Sequence, residues 1–136
     1  MKILIASSKH FYNKIEEIKS HLENKGHIIA LPNSYNEPFK EDEMKNMSRE
    51  KHIEWKSAML KKHSKNIMPN DAILVLNFNK NQELNYIGGA TFLEIAKAWE
   101  LNKIIFLYNP IPNNLFKDEL TAINPIVLEG NLDLIK

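Results

Sequence analysis

Cysteine is absent from the 136 residues. That excludes disulfides, thiol catalysis and any cysteine-ligated metal. Arginine is almost absent too: lysine supplies 17 of the 18 cations and Arg49 the remaining one. Two-pronged guanidinium clamps on phosphate or carboxylate are therefore limited to one residue per chain. Neither sign of charge dominates, since 18 basic side chains face 17 acidic ones and the net charge is +1. Such a chain has no strong field with which to draw in a nucleic-acid polymer. No apolar run approaches the ~18 to 20 residues of a membrane span. The opening MKILIASSKH has too short an apolar run for a signal peptide. The expectation is a cytoplasmic protein with neither a membrane nor a nucleic-acid polymer as partner. Glycine is scarce, with 4 residues, and only Gly88 and Gly89 are adjacent. The chain has no GxGxxG, no Walker lysine–serine pair, no zinc spacing and no nucleophile elbow.

What is present suits one domain spanning residues 1–136, because 43% hydrophobic and 26% charged residues are ordinary for a chain with a real core. Apolar runs rich in isoleucine and leucine predict buried strands at Lys2–Ser7, His27–Leu31, Asp71–Phe78, Lys103–Tyr108 and Pro125–Leu128. Between them, helices are expected over Phe11–Lys25, Glu41–Asn66, Ala90–Asn102 and Leu115–Ile123. In the first, Phe11, Ile15, Ile18 and Leu22 share one face and Gly26 is the stop signal. In the second, acidic residues open the helix and basic ones close it. The tail, with Leu132, Leu134 and Ile135, should dock on the body. Alternating units with strands apolar on both faces imply an α/β fold. Its expected form is a doubly wound three-layer domain around a five-stranded parallel sheet of order 2-1-3-4-5.

In such a sheet the ligand crevice lies where the strand order reverses, outside the carboxyl ends of strands one and three. That brings Ala6–His10 beside Asn77–Gly89. Ser7, Ser8, Lys9 and His10 then either cap the following helix or contact a ligand through hydroxyls and N–H groups. Asn77 and Asn109 end the third and fourth strands. Either residue could hold a turn or bind sugar hydroxyls and base edges. Gly88-Gly89 feeds the helix that carries Glu94. On a helical wheel Phe92, Ile95, Ala96 and Trp99 form the face expected to pack on the sheet. Glu94 lies nearly opposite, beside Ala90, Ala98 and Leu101, which is a second apolar side. A carboxylate there is either a solvated first-turn glutamate or a group in a half-buried wall. His52 and His63 share a side of the second helix with Trp55 and Met59. Eleven residues set the two histidines ~16 Å apart at a rise of ~1.5 Å per residue, so they are no metal pair. They are expected in packing, or with Trp55 as an aromatic wall over a pocket.

Three segments carry a resemblance: Asp71-Ala72-Ile73-Leu74-Val75-Leu76-Asn77, Gly88-Gly89-Ala90-Thr91-Phe92-Leu93-Glu94-Ile95-Ala96-Lys97-Ala98, and Asn102-Lys103-Ile104-Ile105-Phe106-Leu107-Tyr108. They are similar to the nucleoside 2-deoxyribosyltransferase family and its N-glycoside hydrolase relatives, over about a third of the chain. The resemblance implies a flavodoxin-like fold and an enzyme that cleaves the N-glycosidic bond of a nucleoside or nucleotide. It implies that Glu94 is the nucleophile, holding deoxyribose covalently until a second base or water takes it. It implies no metal or other cofactor, a small-molecule partner, and a homodimer or larger homo-oligomer. Asn77 stands where the family has an aspartate that assists the leaving base. The first loop, Ser7-Ser8-Lys9-His10-Phe11-Tyr12, lacks the family's glycine, and Tyr12 or His10 is the candidate substitute. The substrate-binding set expected is Ser7, Ser8, Lys9, His10, Tyr12, Gly88, Gly89 and Asn109. The competing expectation is a nucleotide-binding or sensing domain of the same fold without catalysis.

Overall fold

The computed structural model describes residues 1–136. Its strands are β1 (Lys2–Ala6), β2 (Ile28–Ala30), β3 (Ala72–Val75), β4 (Ile104–Leu107) and β5 (Ile126–Val127). Its helices are α1 (Ile15–Asn24), α2 (Lys40–Met47), α3 (Arg49–Ile67), α4 (Gly89–Glu100) and α5 (Lys117–Ile123). The five strands form one parallel sheet of order β2-β1-β3-β4-β5. This is the doubly wound, flavodoxin-like arrangement expected from the alternation. No helix is long and apolar enough to cross a membrane.

The pleat sends alternate side chains to opposite faces, so each strand feeds two cores. Ile3 and Ile5 of β1, Leu74 of β3 and Phe106 of β4 face α1 and pack on Ile15, Ile18 and Leu22. Leu4, Ala6, Ile73, Val75, Ile105 and Leu107 face the other way, onto Ile67 of α3, Ile95 and Ala98 of α4, and Leu120 of α5. The in-register pairs Ile5–Leu74 and Leu74–Phe106 keep each set on its own side. One face is thus covered by three helices. The other is covered by α1 and by the tail, whose Ile135 is buried. Asp133 fixes that tail through His21 at 3.0 Å and Lys25 at 2.9 Å.

Local chemistry corrects several boundaries. Ser8 accepts from the His10 N–H, and residues Lys9–Lys14 form a 3-10 turn before α1 begins. Gly26 at φ +92° ends α1, with His27 N–H donating back to the Leu22 carbonyl. The expected single helix over 41–66 is two. Ser48 is extended, at φ −172° and ψ 164°, and its hydroxyl accepts from the Lys51 N–H to cap α3. Trp99 does not pack on the sheet: it is 55% exposed. The buried face of α4 is Thr91, Ile95 and Ala98. Glu94 lies three residues from Thr91 and four from Ala98, so it flanks that face rather than opposing it.

Candidate active site

A cleft of about 550 Å³ opens at the reversal point of the sheet, within the range of small-ligand sites. Its floor is the turn after β1, with Ser7 and Ser8, and the head of α4, with Gly88–Thr91 and Glu94. Tyr12 enters from the 3-10 turn, and Tyr86 from the loop after β3. The opposite side is α2, through Glu41, Asp42 and Lys45, and α3, through Trp55, Lys56, Met59, Leu60 and His63. The lining is mostly polar, with three aromatic rings among it.

Of the ten residues expected in the site, Ser7, Ser8, Lys9, His10, Tyr12, Gly88, Gly89 and Glu94 line this cleft. Asn77 and Asn109 do not. Asn77 is fully buried, and its amide donates to the carbonyls of Asn109 at 2.9 Å and Pro110 at 3.1 Å. Its side-chain oxygen accepts from the Asn109 N–H at 2.8 Å, and the Asn109 amide donates to the Asn77 carbonyl at 3.1 Å. Together they bind the end of β3 to the end of β4, which is the turn-holding role. An aspartate could not replace Asn77 here, because two of these contacts need an N–H donor. Gly88 serves a close approach: a Cβ there would meet the Tyr86 hydroxyl at 3.1 Å.

Glu94 is half-buried as a residue. Its carboxyl lines the cleft, its oxygens are not sealed from it, and no hydrogen bond or ion pair ties it down. Burial pushes its pKa from 4.5 up to about 8, so the free protein at neutral pH holds it mainly as a neutral acid. Burial, and next the charge of Glu94, push the Tyr12 hydroxyl up to about 12. Tyr12 is thus a neutral donor close enough to Glu94 to feel its ionisation. Its ring lies 5.6 Å from that of Tyr35.

The mouth is held by ion pairs. Lys9 meets Asp42 of α2 at 2.9 Å. Glu41 receives His52 at 2.9 Å and Lys56 at 3.1 Å. Burial is the largest single influence on Glu41 and opposes its ionisation, but the bonds from His52 and Lys56 outweigh it and hold its pKa low. His52 is therefore a structural partner. His63 is different. It is 8% exposed, no protein group hydrogen-bonds its ring, and burial, then Lys56, lowers its pKa. Trp55 and His63 together form the pocket wall that their shared helix face allowed. The α2 contribution had no sequence signal, because α2 buries none of its side chains. No cluster of three or more histidine, aspartate or glutamate side chains is arranged to hold a metal ion. No protein-family model matches the chain, and no curated protein matches it.

Proposed function

We propose that this protein cleaves the N-glycosidic bond of a 2'-deoxynucleoside or its nucleotide through Glu94. The observation that carries the reading is an unpaired carboxyl lining a ligand-sized cleft, one turn into a helix that starts at the crevice. Tyr12 beside it is a neutral hydroxyl suited to orient the carboxylate. In the reaction, ionised Glu94 attacks the anomeric carbon, the base departs with the bonding electron pair, and a glycosyl ester remains. A second base or water then takes the sugar. Trp55, Tyr12 and Tyr86 offer flat faces to the base, and Lys9, Lys45 and Lys56 offer charge to a phosphate. The active form is a homodimer or larger, supported by Leu93 and Trp99 of α4, which are 48% and 55% exposed.

The test is base exchange. The protein is incubated with deoxyadenosine, deoxyinosine or deoxycytidine and a different free base, then assayed for new nucleoside or released base. Turnover is expected, and Glu94→Ala should abolish it; activity that survives this change removes the nucleophile from the account. A second reading, a nucleotide-binding domain without catalysis, is favoured by one observation: Asn77 is fully engaged in the turn and cannot assist a leaving base. Saturable nucleotide binding without turnover selects that reading.

A further inference from the structure

Cleavage of a nucleoside leaves a base that needs a proton, and Asn77 cannot supply one. Among the cleft's proton-bearing groups, His63 stands out by its burial. His63 comes from α3, which packs alongside α4, and it lines the same cleft as Glu94. It is more than nine-tenths buried, yet neither ring nitrogen has a protein partner, and neither is sealed off without one. A buried imidazole is normally paired, because an unmet polar atom costs about 1 to 3 kcal/mol. A buried ring left open toward a cavity is a group waiting for a ligand. Among the other cleft donors, Lys56 is bonded to Glu41 and Lys9 to Asp42, His10 and Lys45 are exposed, and burial makes the Tyr12 hydroxyl a far weaker acid than an imidazole.

Building on the glycosidic reading, we infer that His63 delivers the proton to the departing base. Glu94 starts as a neutral acid and must lose its proton to attack; the base must gain one to leave. In the balanced step, the Glu94 proton passes to one ring nitrogen of His63 through water in the cleft. The N–H on the other ring nitrogen passes its proton to the base. The C1'–N bond breaks with its electron pair on the base, and the new C1'–O bond forms to Glu94. The imidazole ends neutral with its two nitrogens exchanged in role. A neutral histidine suits this relay, since it can accept and donate at once.

The experiment compares two kinds of leaving group. Ordinary deoxynucleosides need a proton on the base; 7-methyl-2'-deoxyguanosine does not, because its base departs from a cation as a neutral molecule. His63→Gln and His63→Asn keep hydrogen-bonding capacity but cannot relay a proton. Each is expected to lower kcat on the ordinary substrate by ~10² to 10⁴-fold. On the methylated substrate the expected loss is less than about tenfold. Equal losses on both substrates, or no loss on either, overturn the relay while leaving the Glu94 reading intact. Loss of turnover on both substrates in Glu94→Ala supports the nucleophile. Persistence of turnover in Glu94→Ala, or wild-type protein idle on both substrates, overturns the glycosidic reading and the relay with it.

Discussion

Replacing Glu94 by glutamine should stabilise the protein, by an amount that depends on pH in a defined way. The folded chain holds the Glu94 carboxyl at a pKa of about 8 against an ordinary 4.5. Between those values the unfolded chain has released the proton and the folded chain still keeps it. Stability therefore falls as pH rises through this window, opposite to the usual salt-bridged carboxylate. Each pH unit costs about 1.4 kcal/mol, so the loss reaches about 3 kcal/mol at pH 7 and about 5 kcal/mol above pH 8. Glutamine has nearly the same shape and cannot ionise, so it removes the whole effect. At about 3 to 4 °C per kcal/mol for a chain of this size, the Tm advantage of Glu94→Gln should be near zero at pH 4.5. It should be about 10 °C at pH 7 and larger at pH 8.5. Thermal unfolding of both proteins followed by circular dichroism gives the difference curve, in which other titrating groups cancel. A difference that stays flat from pH 5 to pH 9, or a wild type that gains on the variant as pH rises, refutes the buried-acid account.

Asn77→Asp, the change toward the pattern that the chain resembles, should destabilise by about 3 kcal/mol in denaturant titration, because a carboxylate would face the carbonyls of Asn109 and Pro110. With 7-methyl-2'-deoxyguanosine, over the pH range in which it stays a cation, kcat/KM should rise with pH, since only ionised Glu94 attacks and the base then needs no proton. A profile falling across that range would make Glu94 an acid instead. Ser48→Ala removes the hydroxyl that caps α3 and should cost about 1 kcal/mol of unfolding free energy; an unchanged urea midpoint would mean the α2–α3 break is held by something else.

The sheet was legible because its cause is local. Continuous apolar runs such as Ile73–Leu76 can be buried only between two helical layers, and alternation with helices leaves few ways to order the strands. The crevice followed from that order, and so did the meeting of Ser7–His10 with Gly88 and Gly89, though not with Asn77. Other features depend on tertiary context that periodicity does not carry. The α2–α3 break rests on the backbone angle of one residue, although Ser48 followed by Glu50 is a start signal in hindsight. Trp99 fits an apolar stripe on the wheel, yet α4 turns Thr91, Ile95 and Ala98 to the sheet instead. Asn77 shows the limit most clearly. Its place at the end of β3 was readable, but its four hydrogen bonds depend on where Asn109 and Pro110 arrive from the neighbouring strand. His63 was visible as a residue on the right helix face. Its lack of any partner became evident only with the cleft assembled around it.

The central claim is a covalent bond between Glu94 and deoxyribose. Rapid acid quench of the protein with a turned-over deoxynucleoside, followed by proteolysis and mass spectrometry, tests it directly. The account predicts a peptide carrying one deoxyribosyl group on Glu94, absent from Glu94→Gln. Turnover with no such adduct at any quench time, or an adduct on another residue, would contradict it.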